Sequence, residues 1–399
     1  MNIERTFVIQ FQFSVFSYYC TMNSVSPYNH PRVVLSVTND IFGDQRVDKV
    51  CHMLIKLGFE VLVVGRLRKN SPEITDKPYK THRFRLLFDK GPLFYAEYNL
   101  RLFLYLLFVR CDILVANDLD TLLPNTLVSK LRRKKLVYDS HEYFCGILEV
   151  IERPRVRKTW LAIERFCFPK LEHIITVSQS IADQYKREYG KEVAVVRNIP
   201  RRECFPVTET RASLHLPENK KIAVLQGTGL HRDRGVEEIV EAMPLTDNLL
   251  LLIVGSGAVI PQMKERVKAL HIEDKVMFVP RVSPQMLFNY TYLADIGVSL
   301  DKDASPNHHF SLPNKIFEYM KAGTPLLSTD LPERKRIIEQ YNTGLIVKDL
   351  NPTTLADALS RMMTDEEAYC QWKEGCAAAA RDLCWENEEK VLEQIYLSL

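Results

Sequence analysis

The sequence predicts an α/β protein of two doubly wound domains facing each other across a cleft. Three observations predict it. The chain has 399 residues, more than one hydrophobic core usually holds. From residue 31 onward, short β-branched runs alternate with segments of helical period. The alternation stops at a polar, proline-bearing stretch near residue 200 and then starts again.

Composition narrows the class. With 46% hydrophobic and 26% charged residues the chain is an ordinary globular protein, not a disordered one. A net charge of +3 gives no reason to expect nucleic acid. Its 9 cysteines are odd in number, with no CxxC pair and no Cys/His zinc spacing. They read as reduced thiols in a cytoplasmic protein, with no metal site. Cys51, Cys111 and Cys167 lie in apolar runs, as core fillers do.

Residues 1–30 read as a poorly ordered extension, with Met22 as an alternative start. "FVIQFQFSVFSYYC" is too short to span a bilayer and carries no signal-peptide cleavage pattern. The first domain is expected over 31–203. "RVVLSV" is a buried strand, "RVDKVCHMLIKLG" a helix ending on Gly58, and "EVLVVG" the next strand. That βαβ order implies a parallel sheet with right-handed crossovers. "LFLYLLFV" at 102–109 is a buried helix or one resting on a membrane surface. "DILVAN", "KLVYDS", "HIITVS" and "VAVVRN" add strands, with "TLLPNTLVSKLRR" and "QSIADQYKREYG" as helices.

"IPRRECFPVTETRASLHLPENKK" reads as a linker. The second domain is expected over 204–380, with strands "IAVLQG", "LLLLIVG", "VMFVP", "IGVSL", "PLLST" and "TGLIV" between helices. Residues 381–399 form a terminal helix. Ligands in such sheets bind beyond the carboxyl ends of the strands.

Two stretches carry chemistry. In "LQGTGLHRDRGVEE", Gly227 and Gly229 let a ligand approach the backbone, and Arg232 and Arg234 place two cations at a helix start, where free N–H groups favour a phosphate. The plain alternative is a solvated basic turn. "VGSGAV" at 254–259 is explained as well by tight packing. In "SLPNKIFEYMKAGTP", Glu318 lies in a helix with apolar Ile316, Phe317 and Met320. It is either an i, i+3 partner of Lys315 or a buried carboxylate that needs hydroxyl donors. A ribose diol supplies them, and Ser311, Leu312, Asn314 and Lys315 at the helix start offer backbone N–H groups and a cation to a diphosphate.

"SLPNKIFEYMKAGTP", "GLHRDRGVEEIVEAM", "CDILVANDLDTLL", "KLVYDSHEYF" and "ITVSQSIADQY…VVRNIP" together resemble family 4 of the retaining glycosyltransferases, and the resemblance runs from about residue 32 to the C-terminal helix. The resemblance implies the GT-B fold, with two Rossmann-like domains, and transfer of a sugar from a nucleoside-diphosphate sugar with retention and without a metal. It implies a saccharide or lipid-linked acceptor and a role in cell-surface polysaccharide or glycolipid synthesis. Glu318 matches the second carboxylate of the family's helix motif, at the donor ribose. The first falls on Phe310, so the carboxylate that meets the donor sugar is missing, and neighbouring His309 is no equivalent. Arg234 takes the place of the family's phosphate-binding lysine. Gly229 stands where its arginine would be, leaving Arg232 or Lys315 to compensate. The backbone of Arg281 and Val282 falls where the family holds the base. His141 matches a histidine near the reacting sugar, with Glu142 beside it. Asp118, Asp44 and Arg46 are expected on the acceptor side, and the terminal helix around Trp385 is expected to pack across the first domain. The rival readings are a non-catalytic GT-B binding protein and a nucleotide-sugar epimerase. The basic runs "LRRKKL" and "ERPRVRK" are a solvated face or contacts to an anionic membrane.

Overall fold

The computed structural model describes residues 30–399. The expected N-terminal extension lies outside the described residues. Two sheets, every pairing in them parallel, organise the rest. The first has the order β3-β2-β1-β4-β5-β6-β7. Its strands are β1 (Arg32–Ser36), β2 (Glu60–Leu67), β3 (Lys80–Arg85), β4 (Ile113–Asn117), β5 (Lys135–Ser140), β6 (His173–Thr176) and β7 (Ala194–Val195). The second has the order β10-β9-β8-β11-β12-β13. It comprises β8 (Lys221–Gly227), β9 (Leu249–Gly255), β10 (Val276–Val279), β11 (Ile296–Ser299), β12 (Leu326–Thr329) and β13 (Gly344–Val347). Each sheet carries a hydrophobic cluster on both faces, as parallel sheets covered by helices require.

Two expectations need correction. Strand β3, "KTHRFR", was not anticipated: it is a polar edge strand with no apolar alternation to betray it. "VAVVRN" pairs over only Ala194 and Val195. The segment read as a linker is pinned rather than loose. Ile199 and Leu216 are buried in the second domain's core. Asn289 Oδ1 accepts from the Thr208 and Glu209 N–H groups, and Arg211 donates to Leu293 O and Asp295.

The chain crosses back after the helix Glu366–Asp382. Trp385 N–H donates to Pro200 O, and the indole is fully buried with Leu392 and Tyr396 against the first domain. Lys49 ties the two crossings together: its Nζ donates to Asn198 Oδ1 and Ile199 O and lies 4.7 Å from the Trp385 ring centroid.

Candidate active site

In the second domain the helix Asn314–Ala322 starts after Pro313 with no side-chain cap. Its first N–H groups are therefore open to an anion. It ends at Gly323, whose φ of +70° is the left-handed conformation a stop needs. Ile316, Phe317, Tyr319 and Met320 bury one face, which fixes the helix against the sheet.

Close by, β11 ends and delivers Asp301, which is 1% exposed. Three cations meet it. Arg334 Nη2 is at 2.8 Å, Arg234 Nη1 at 3.2 Å and Lys315 Nζ at 3.9 Å. Burial alone would raise the Asp301 pKa; Lys315, Arg334 and Arg234 hold it well below the usual carboxylate range. One carboxylate against three cations leaves two positive charges uncompensated, beside an uncapped helix start. Arg334 also donates to Ser311 Oγ and Thr329 Oγ1, so its guanidinium is held from several sides. Lys315 is thus the partner of Asp301, and the surface pair it was set to form with Glu318 is replaced by this cluster.

Glu318 sits one turn further along. Its carboxylate accepts from Gln226 Nε2 at the end of β8. Burial raises its pKa; the Gln226 bond and the charges of Lys321, Lys49 and Lys315 oppose the rise. Glu318 is half-buried, and Lys49 of the first domain is near enough for its charge to act on the acid, which places Glu318 toward the junction of the two halves. Burial, with Arg46 and Arg201 nearby, lowers the Lys49 pKa to about 7.

The glycine turns divide the work. A Cβ at Gly255 or Gly257 would fall 1.8–1.9 Å from backbone oxygens of Gly227 or Leu230, so "VGSGAV" exists for packing. At Gly227 a Cβ would press on Leu230, whereas at exposed Gly229 it would meet only the His231 ring, at an ordinary contact distance of 3.7 Å. Arg232 and Arg281 are exposed and Val282 is half-buried. The Leu312 side chain is core, which leaves its backbone for a ligand; Ser311 is half-buried and Asn314 exposed.

In the first domain, β5 ends at Ser140 and turns His141 between two carboxylates. Asp118 Oδ2 lies 3.5 Å from Nδ1, and Asp139 Oδ2 lies 3.5 Å from Nε2. Asp118 also accepts the His141 backbone N–H at 2.7 Å. It holds the N-cap position of the helix Leu119–Arg132 but makes no cap bond, because its carboxylate is turned to His141. Burial opposes protonation of the imidazole, but Asp118 and Asp139 outweigh it and carry the pKa to about 9. His141 is therefore an imidazolium at neutral pH, a donor and not a base.

Arg46, expected on the acceptor or a phosphate, is turned inward. It is 2% exposed, forms a bidentate pair with Asp139 and donates to Val196 O. A guanidinium this deep is held by its counter-ion. Asp44 is the N-cap of the helix Gln45–Lys56, accepting from Val47 N–H and from Asn39 Nδ2.

Glu142 joins the halves. Its Oε2 accepts from Asn307 Nδ2 at 3.0 Å, while Asn307 Oδ1 accepts the Tyr143 N–H at 2.9 Å. Burial and the charge of Asp118 raise the Glu142 pKa to about 7, and do the same for Asp120. The next residue, His308, is buried among the charges of Arg234, Asp301 and Arg334; burial and Arg234 lower its pKa. Its Nδ1 has no hydrogen-bond partner. The adjacent pair Asn307–His308 therefore connects the His141 cluster to the Asp301 cluster. Phe310 stacks edge-on against Tyr143 at 5.8 Å and its carbonyl accepts from Ser178 Oγ, while Glu333 accepts from Ser180.

Sequence reading missed Asp301, Arg334, Gln226, Asn307 and His308. Asp301 follows "IGVSL" and Gln226 is the last residue but one of "IAVLQG", so both stand at the carboxyl ends of strands, where ligands gather. Arg334, inside a charged helix, carried no such signal.

Comparison with known proteins identifies the family and the fold. The model of glycosyltransferase family 4 matches residues 44–199, and that of glycosyl transferases group 1 matches residues 206–377. Chitobiosyldiphosphodolichol beta-mannosyltransferase of Candida albicans is 23% identical over 292 residues, 66% of this chain and 62% of that protein. The chain spans between 33% and 62% of the length of the first curated relatives it matches. Among solved structures, sucrose-phosphate synthase of Thermosynechococcus elongatus superposes with a TM-score of 0.77 at 20% identity, covering 92% of this chain and 99% of that one. HepE of Anabaena, solved with UDP-glucose, does so at 0.70 and 15% identity, covering 93% and 100%. With one model on each half and the same two-sheet architecture in its neighbours, the chain belongs to the family 4, group 1 glycosyltransferases and has the GT-B fold.

Proposed function

We propose that this chain transfers a sugar from a nucleoside-diphosphate sugar to a saccharide or lipid-linked acceptor with retention of configuration, in polysaccharide or glycolipid synthesis. The observation that carries the reading is the Asp301 cluster: Arg234, Lys315 and Arg334 around one buried carboxylate, at an uncapped helix start. Two surplus positive charges with open N–H groups suit a diphosphate without a metal ion. Glu318, held by Gln226, accepts from both hydroxyls of the ribose. The backbone at Arg281 and Val282 lies against the base. The half-buried side of the first domain, with His141 and Asp118, receives the reacting sugar and the acceptor.

The step follows from these charges. The bond from the anomeric carbon to the β-phosphate oxygen breaks, and the acceptor oxygen bonds to the same face. The acceptor proton passes to the leaving phosphate, whose charge Arg234, Arg334 and Lys315 stabilise. His141, protonated, donates to a sugar oxygen and does not take the acceptor's proton. Reduced cysteines, eight of them described, suit a cytoplasmic setting, with peripheral contact to an anionic membrane.

A thermal-shift screen of UDP, GDP, ADP and TDP, followed by nucleotide-sugar turnover, tests this reading. The right nucleotide stabilises the fold, and Glu318→Ala removes most of that shift. No binding of any nucleoside diphosphate refutes it. Binding without turnover favours the non-catalytic alternative, which Phe310 motivates, packed on Tyr143 where the family carries a carboxylate. Product without an acceptor identifies an epimerase.

A further inference from the structure

The short helix Pro306–Phe310 stands between the two domains and offers each a different face. Asn307 and Phe310, three positions apart, share one face. That face meets the first domain: Asn307 is hydrogen-bonded to Glu142 and to the Tyr143 N–H, and the Phe310 ring lies edge-on to Tyr143. His308, two positions before Phe310, falls on nearly the opposite side of the turn. It is buried in the second domain, among the charges of Arg234, Asp301 and Arg334. His309 is half-buried and paired with Asp303.

The backbone of His308 is held at both ends. Its N–H donates to Ser305 Oγ at 3.2 Å, and its carbonyl accepts from Ser311 Oγ at 2.8 Å. Ser311 Oγ is fixed in turn by Arg334 Nη2 at 3.0 Å. The residue is 7% exposed, yet Nδ1 has no partner, and neither has Nε of the buried Arg334. Buried polar atoms are paired in the great majority of cases. A ring fixed this firmly with an unpaired nitrogen marks a place where a ligand atom arrives.

The chemistry of the ring says which atom. Burial and Arg234 keep the imidazole neutral, so it carries one N–H and one lone pair. A phosphate oxygen only accepts, and Arg234, Lys315, Arg334 and the open helix start already serve it. A hydroxyl both donates and accepts, so it suits either nitrogen. The preceding residue, Asn307, touches Glu142 beside His141. His308 therefore stands between the cation cluster and His141, where the transferred sugar lies if the cluster holds the diphosphate.

We propose that His308 reads the donor sugar, its imidazole binding one hydroxyl of the ring and so setting which sugars the chain accepts. The inference rests on the donor reading above and names the residue that meets the sugar, which that reading leaves unassigned.

The test is calorimetry of the full chain with matched ligands: UDP and UDP-glucose, GDP and GDP-mannose, ADP and ADP-glucose. For the pair that binds, His308→Phe is expected to weaken the nucleotide sugar on the order of tenfold and to leave the nucleoside diphosphate within about twofold of wild type. His308→Asn, whose amide offers a donor and an acceptor near the place of Nδ1, is expected to recover affinity to within about threefold of wild type. His308→Ala adds no bulk and must show the same split as His308→Phe, so a folding defect of the phenylalanine variant does not shield the proposal. Equal weakening of both ligands overturns it, because the ring would then serve the diphosphate or the fold. So does unchanged affinity for both, because the ring would then meet water alone. A wild-type chain that binds no nucleoside diphosphate overturns the donor reading, and this inference with it. Normal binding by wild type with no split in the variants overturns this inference alone.

Discussion

Gln226 donates from Nε2 to the carboxylate of Glu318 while its Oε1 accepts from Thr291 Oγ1 at 2.7 Å. An ionised carboxylate can only accept, so Glu318 settles which way the amide faces and an N–H points at the acid. That bond supports the ionised carboxylate against the burial that raises its pKa. The Glu318 carboxylate, which we propose grips a ribose, is therefore supported from the end of β8 and from the helix Pro284–Leu293 and not from its own helix.

Glu318→Gln keeps the shape and removes the charge. A hydrogen bond to a charged group contributes about 1.5–3 kcal/mol, so calorimetry should show nucleotide affinity falling by roughly ten- to a hundredfold. The free protein should lose no stability at neutral pH, because a buried carboxylate with a raised pKa costs free energy when ionised. Unchanged affinity would remove Glu318 from the site.

Asp301→Asn removes the only anion shown among Arg234, Lys315 and Arg334. Breaking such a buried set costs about 3–5 kcal/mol, read as a lower urea midpoint. Added pyrophosphate should restore part of it, since an anion replaces the missing charge. Stability that ignores pyrophosphate would contradict a phosphate site.

The pH dependence of stability has a definite sign. His141 rises to about 9, from about 6.5 in the unfolded chain. Its contribution is complete below the unfolded value and is lost as pH climbs through 9. Asp120 and Glu142 rise to about 7 from near 4, so the fold holds their protons more tightly and loses stability as pH climbs through that window. Urea midpoints should fall from about pH 5 to about pH 9. Asp120→Asn should flatten the lower part of the curve and His141→Gln the upper part.

Arg46→Met should cost about 3–5 kcal/mol by stranding Asp139, with the loss visible in the urea midpoint. Donor affinity measured on the folded fraction should not change. A selective loss of acceptor affinity with normal stability would return Arg46 to the acceptor site.

His308→Phe should leave the melting temperature near wild type, since Nδ1 has no partner to lose. The donor KM should rise on the order of tenfold, the worth of one hydrogen bond. A KM equal to wild type would show that the free Nδ1 meets no part of the donor.

Alternating β-branched runs and helical periods were enough to foretell two parallel sheets, because a buried parallel strand must be apolar on both faces. Glycine turns beside arginines, and one acid in an apolar helix, marked out the second domain's candidate site for the same local reason: each breaks the pattern around it. Polar edge strand β3 left no such mark. Neither did the inward turn of Arg46, which the Asp139 carboxylate on β5 enforces from far along the chain. Arg234, Lys315 and Arg334 are separate in sequence, and no local pattern says that they converge; the sheet order brings them to Asp301, and the balance of three charges against one exists only there. Local periodicity is written in neighbours a few positions apart, while a charge cluster depends on distances that chain folding alone creates.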